Sequence, residues 1–167
     1  MKKIFLIGMP GSGKSTLGVK LADSWEIPFF DLDKEIEKNS GKRISKIFNE
    51  DGESEFRKIE ARLLRAFSDS YPSFIMSTGG GTPCFHQNLE FMNNSGLTIY
   101  LKVSIGELEK RLDFEKESRP LLAESKSLKR KIQQLISKRA ECYEGATYVI
   151  ESDGITLLDI ESAITKS

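Results

Sequence analysis

The chain has one histidine, two cysteines, no excess of either charge and no long apolar run, and each shortage closes off a class of function. Lysine plus arginine and aspartate plus glutamate number 25 each, for a formal net charge of zero. No global basic field therefore draws the chain to nucleic acid or an anionic membrane, and any positive site must be local. Cys84 and Cys142 lie far apart in sequence and form no C-x-x-C. They are expected as free thiols in a reducing cytoplasm, not as a disulfide scaffold. The single histidine, His86, has no partner at metal-ligand spacing and reads as a surface residue. After Met1-Lys2-Lys3 only four apolar residues, Ile4 to Ile7, precede a glycine, far short of a signal-peptide core or a membrane span. No targeting segment is expected. Internal repeats, low-complexity tracts and domain linkers are missing too. A length of 167 residues with 38% hydrophobic content suits one compact domain with its own core.

What is present is organised around Gly8-Met9-Pro10-Gly11-Ser12-Gly13-Lys14-Ser15-Thr16. Lys3-Ile4-Phe5-Leu6-Ile7 before it suits a short buried parallel strand, and Leu17 to Trp25 after it carries helical periodicity. Strand, glycine-rich loop and helix in that order make a P-loop, in which backbone N–H groups and the helix N-terminus cradle phosphate. Lys14 can reach the β- and γ-phosphates, and the Ser15 hydroxyl can ligate Mg²⁺.

Further along, Pro28-Phe29-Phe30-Asp31-Leu32-Asp33 reads as a second strand, with helix following at about Lys34. Asp31 and Asp33, two apart in an extended segment, could share a crevice at the carboxyl edge of a sheet; alternatively Asp33 caps the next helix. A short helix around Ile44 to Phe48 precedes a longer one from near Ser54. There Phe56, Ile59, Leu63, Leu64 and Phe67 form the apolar face, and the pattern leaves Arg57 and Glu60 on flanking or outer positions as a solvated pair. Phe74 to Thr78 is a third strand running into Gly79-Gly80-Gly81, which either brings backbone N–H groups close to a ligand or is a flexible turn before Pro83. That strand ends in Ser77 and Thr78 rather than an acidic residue, so a carboxylate for a metal must come from elsewhere, Asp31 being nearest. Leu97 to Leu101 is a fourth strand and Glu107 to Leu112 lies in a helix. The polar stretch Asp113 to Pro120 is a mobile loop over the site or simply a disordered one, with Arg119 extended because Pro120 follows it. Ser125 to Gly145 is a long helix whose Lys126, Lys129, Arg130 and Lys131 make a solvated basic face. Tyr148-Val149-Ile150 and Ile155 to Ile164 supply a fifth strand and a closing helix. Strands alternating with helices predict a parallel, three-layer α/β/α fold, though periodicity does not give the strand order.

From Ile4 to about Tyr143 the chain resembles the shikimate kinase family. The resemblance rests on the P-loop together with Asp31-Leu32-Asp33, Phe56-Arg57-x-x-Glu60, Gly79-Gly80-Gly81, Arg119-Pro120-Leu121-Leu122 and Lys138-Arg139-Ala140, in that order. It implies a P-loop kinase fold with strand order 2-3-1-4-5. It also implies one kinase domain over 1–167, with a substrate-binding helical segment at about 33–61 and a lid at about 113–124. The implied activity is Mg²⁺-dependent transfer of the ATP γ-phosphoryl group to the 3-hydroxyl of shikimate, in a cytoplasmic monomer with no nucleic-acid or membrane partner. On this resemblance Gly11, Ser12, Gly13, Lys14, Ser15 and Thr16 bind ATP with Arg111 and Arg119. Ser15 and, through water, Asp31 serve the metal. Asp33, Arg57, Gly79, Gly80, Gly81 and Arg139 bind shikimate, and Lys14, Asp33 and Arg119 are catalytic. The rival readings are a kinase for another hydroxylated acid such as gluconate, or a nucleotide-dependent switch. A GTPase is disfavoured because no N-K-x-D occurs.

Overall fold

Apolar side chains alternate across the central strand, and that alternation sets the layers. In the computed structural model, which describes residues 2–117 and 125–165, β1 (Lys3–Ile7) points Ile4 and Leu6 to one side and Phe5 and Ile7 to the other. It is flanked by β3 (Phe74–Ser77) and β4 (Leu97–Lys102), with β2 (Phe29–Asp31) and β5 (Tyr148–Glu151) at the edges. The order is β2-β3-β1-β4-β5 and every pairing is parallel. A parallel sheet needs both faces covered. On the Ile4 and Leu6 side, α1 (Lys14–Trp25) contributes Leu21 and Ala22, and α8 (Leu157–Thr165) contributes Ile160. On the Phe5 and Ile7 side lie α2 (Leu32–Ser40), α3 (Ile44–Glu50), α4 (Gly52–Ser70), α5 (Asn88–Ser95), α6 (Ile105–Glu117) and α7 (Ser125–Glu144). Each Leu, Ile or Phe buried between these layers stabilises the fold by about 1.5–3 kcal/mol. Among the described residues no helix is long and apolar enough to cross a membrane.

Four local expectations are corrected. The second strand ends at Asp31, and α2 already starts at Leu32. Asp31 is therefore the N-cap, its carboxylate accepting from the Lys34 N–H at 3.3 Å, while Asp33 sits in the first helical turn and is neither cap nor strand residue. Arg57 and Glu60 are buried, not on an outer face, because they lie on the same helical stripe as Ala61 and Leu64. Helix α6 runs on to Glu117 through residues expected in a loop; glutamate and lysine have high helix propensity. The sequence reading has no helix at α5: three asparagines weaken it, and its inward face mixes Leu89, Phe91 and Met92 with the buried amide of Asn88. Arg119, with 118–124 of the expected lid, lies outside the described residues.

Candidate active site

Placing β1 between β3 and β4 brings the carboxyl ends of β1, β2 and β3 to one crevice of about 260 Å³. Its floor is the P-loop. Gly13, at φ 93°, is the N-cap of α1, a left-handed conformation that a side chain would strain. This geometry leaves the first amides of α1 without an acidic side chain in the first turn, so the helix's partial positive charge faces the crevice. The Ser12 hydroxyl is buried and, among the described residues, has no hydrogen-bond partner. An orphaned hydroxyl inside a loop of converging N–H groups suits a phosphate oxygen. Lys14 is buried too, its Nζ donating to the carbonyls of Gly8 and Met9 at 2.9 Å each. Burial pulls its ammonium down to about 8, against the carboxylates of Asp33 and Asp31, which hold the proton on. The Ser15 hydroxyl donates to Asp31 Oδ2 at 2.8 Å and lies 3.1 Å from the Ser77 hydroxyl.

The other wall carries the predicted acceptor residues, and the three glycines are the hinge of the arrangement. A Cβ at position 79 would stand 3.0 Å from Asp33 Oδ1 and 3.2 Å from Glu60 Oε1. At position 80 it would stand 2.8 Å from the Arg139 guanidinium, and at position 81 only 2.4 Å from that of Arg57. One acid and two guanidinium groups therefore converge on a backbone stripped of side chains. Burial, then the charges of Asp31 and Glu60, push the Asp33 carboxyl up to about 6, while Lys14 and Arg57 pull the other way. Arg57 is held by Glu60 at 2.9 Å and Glu53 at 3.2 Å, with its guanidinium over the Phe85 ring at 4.4 Å. Sequence reasoning did not assign a role to Glu60. It is fully buried and bridges Arg57 to the Thr82 hydroxyl, which donates to it at 2.6 Å. Tyr143 was also missed: fully buried on α7, it donates to the Gly80 carbonyl at 2.5 Å and so fixes the glycine segment to the helix that carries Arg139. A tyrosine four residues after an arginine, on one helical face, was the available signal.

Arg111 lies apart from this cluster, on the far side of the P-loop. It donates to Glu107 at 2.9 Å and to the Gly11 carbonyl at 3.2 Å, and also reaches the Asp153 carbonyl. Beside it an open pocket of about 650 Å³, bordered by Thr16, Leu17, Lys20 and Ile155, continues from the loop. The loop at Ser152-Asp153-Gly154 thus touches this pocket's edge through Arg111. His86 is exposed, as expected.

A parallel sheet of this order with a P-loop on its central strand, a charged acceptor crevice beside it and a nucleotide-sized pocket beyond defines a P-loop small-molecule kinase. The shikimate kinase family model matches residues 10–165. The shikimate kinase of Parabacteroides distasonis is 41% identical over 99% of both chains. The crystal structure of the shikimate kinase from Bacteroides thetaiotaomicron superposes with TM-score 0.86 at 37% identity, covering 99% of this chain and 95% of that one. That of Acinetobacter baumannii, in complex with shikimate, gives 0.85 at 32%, covering 99% and 92%. The chain belongs to the shikimate kinase family.

Proposed function

We propose that the chain transfers the γ-phosphoryl group of ATP to the 3-hydroxyl of shikimate, giving shikimate 3-phosphate and ADP. The observation that carries this reading is the glycine triplet lined by Asp33, Arg139 and Arg57, a pairing of one acid with two forks suited to a hydroxylated carboxylate. Arg57 and Arg139 grip the carboxylate, Gly79, Gly80 and Gly81 offer backbone, and Asp33 holds the ring hydroxyls. As the 3-oxygen attacks the γ-phosphorus, its proton passes to Asp33 and ADP leaves. Lys14 and the amides of Gly11, Ser12, Gly13, Ser15 and Thr16 neutralise the phosphates, Arg111 lines the adenine side, and Arg119 completes the charge from the lid at about 113–124. The Ser15 hydroxyl and, through water, the Asp31 carboxylate, which are hydrogen-bonded to each other at 2.8 Å, would hold Mg²⁺. When bound, the metal would supply charge neutralisation to the phosphates. The whole chain, 1–167, acts as one kinase domain whose acceptor segment is about 33–61, working as a cytoplasmic monomer without nucleic acid or membrane.

A coupled assay of ADP release tests this, offering shikimate, gluconate and nucleoside monophosphates separately with ATP and Mg²⁺. Turnover that depends on shikimate alone is expected. Preference for gluconate or a monophosphate, or hydrolysis that no acceptor stimulates, overturns it.

A further inference from the structure

A guanidinium fork selects a carboxylate only when its N–H groups are aimed, and the bonds that aim Arg57 extend well beyond the crevice. Among the described residues its Nε and Nη2 donate to Glu53 at 3.3 and 3.2 Å, and its Nη1 donates to Glu60 at 2.9 Å. This leaves one N–H on each terminal nitrogen for an incoming carboxylate, and both nitrogens lie beside Gly81. Glu60 is set in turn by the buried Thr82 hydroxyl, which donates to it at 2.6 Å. Phe85, whose ring the guanidinium covers, directly follows the 3₁₀ turn Thr82–Cys84. The segment from Thr82 to Phe85 therefore meets Arg57 twice, through Glu60 and through the Phe85 ring. Asn88, fully buried at the start of α5, holds that segment. Its side-chain amide donates to the Thr82 carbonyl at 3.0 Å, and its backbone N–H donates to the Phe85 carbonyl at 2.9 Å. Its side-chain oxygen accepts from Arg65 Nη1 at 2.7 Å. Arg65, half-buried and about two turns along α4 from Arg57, also donates to the carbonyls of His86 at 2.9 Å and Ala61 at 3.0 Å. Its guanidinium lies over the Phe91 ring at 4.7 Å.

We infer that Arg65 and Asn88, neither of which lines the crevice, are positioning residues that aim Arg57 at the acceptor carboxylate by fixing the segment Thr82 to Phe85 against it. The backbone between them supports this. His86 and Gln87, neither of them glycine, take left-handed conformations at φ 50° and 56°, and Gln87 caps α5 with no side-chain bond of its own. Two strained residues in succession persist only where their surroundings over-determine them, and here the bonds from Arg65 to the His86 carbonyl and from Asn88 to the Phe85 carbonyl do so. Without Arg65 the buried Asn88 oxygen loses its donor and the His86 carbonyl its tether, so the segment relaxes toward ordinary backbone. Phe85 then leaves the face of Arg57, and Thr82 loosens from Glu60. Arg57 keeps its charge and its two acidic partners but loses its direction. A displacement of about 1 Å in a positioning group can cost up to 10²-fold.

The inference rests on the shikimate reading of the crevice, and steady-state kinetics on three variants test it. Arg65→Ala removes the tether from a half-buried position, Arg65→Lys keeps the charge with a point donor in place of the fork, and Asn88→Asp keeps the shape while setting an acceptor against the Thr82 carbonyl. Arg65→Ala should raise the KM for shikimate about tenfold or more and leave the KM for ATP little changed. The uncharged methyl ester of shikimate, which offers Arg57 no carboxylate, should be used almost as before. Arg65→Lys should fall between Arg65→Ala and the unaltered protein, and Asn88→Asp should shift the acid constant in the same direction as Arg65→Ala. Where Asn88→Asp does not fold, the two Arg65 variants decide. Unaltered shikimate constants in Arg65→Ala overturn the inference, as does an equal loss on acid and ester or on shikimate and ATP, which a merely structural role would give. An unaltered protein that does not phosphorylate shikimate fails the proposed function instead. The aim of Arg57 is then read without substrate from the NMR cross-peak of its Nε–H, identified by its loss in Arg57→Lys. Arg65→Ala should shift that cross-peak, and an unmoved one overturns the positioning role.

Discussion

Asp33 combines a chemical role with a cost to folding, and the two can be separated by one substitution. Its carboxyl is raised from the ordinary 3.8 to about 6, mainly by burial. The folded protein therefore holds this proton up to a higher pH than the unfolded chain, so the group's contribution to stability is fully present below about pH 4 and lost as pH rises through about 6. A change of this size corresponds to on the order of 3 kcal/mol at neutral pH. Asp33→Asn should accordingly raise the melting temperature at pH 7.5 and hardly alter it at pH 4, while lowering kcat by about 10²- to 10⁴-fold with ATP affinity preserved. Unchanged kcat would reduce Asp33 to a structural residue. In the unaltered protein kcat/KM should fall below about pH 6 as the base takes up its proton. Lys14→Ala, which removes a buried ammonium from the carbonyls of Gly8 and Met9, should nearly abolish turnover and leave shikimate binding intact by calorimetry. Both residues were legible in the sequence from their motifs. The geometry of Asp33 was not, because two-residue spacing cannot tell the end of a strand from the first turn of a helix that begins one residue earlier. Arg57 was misjudged for a related reason: apolar periodicity finds a buried face only where it is apolar, and here the face is completed by an Arg–Glu pair.

The glycine segment after β3 shows how a short stretch of chain becomes a binding surface through what it omits. Arg57 is pinned by Glu60 and Glu53 and stacked on Phe85, so it has little freedom to retreat from a methyl group 2.4 Å away. Gly81→Ala should therefore raise the KM for shikimate strongly and that for ATP little, with kcat/KM for shikimate as the measurement. Gly106→Ala is the control. Position 106 is exposed near the start of α6 with nothing within 4 Å of a Cβ, so this change should leave both constants alone and add up to about 1 kcal/mol of stability. Equal effects of the two substitutions would mean that the triplet is only a turn. Three consecutive glycines were readable as close backbone approach or as flexibility, and nothing in the run itself chose between them. The choice needs Asp33, Arg139 and Arg57, which arrive from three different helices.

The arrangement of the whole chain depends on the strand order, which puts β1 and its P-loop beside β3 and its glycines and leaves β2 to bring Asp31 and Asp33. Hydrophobic pattern identified the five strands and the two-sided burial of the sheet. It could not say which strands are neighbours, since a parallel strand buried on both faces looks the same at any central position; the order came from the family resemblance. On the proposed function, this crevice grips a carboxylate between Arg57 and Arg139. Arg57→Ala would strip buried Glu60 of its guanidinium partner and disturb the fold, so Arg139→Ala is the cleaner probe. The most direct measurement is the KM for shikimate and for its uncharged methyl ester, in the unaltered protein and in Arg139→Ala. The unaltered protein should use the acid far better than the ester. Arg139→Ala should raise the KM for the acid by an amount corresponding to about 2–5 kcal/mol and affect the ester much less, so that the two changes are non-additive. Equal use of acid and ester by the unaltered protein, or an equal loss on both in the variant, would contradict the carboxylate clamp and favour a neutral polyol as acceptor.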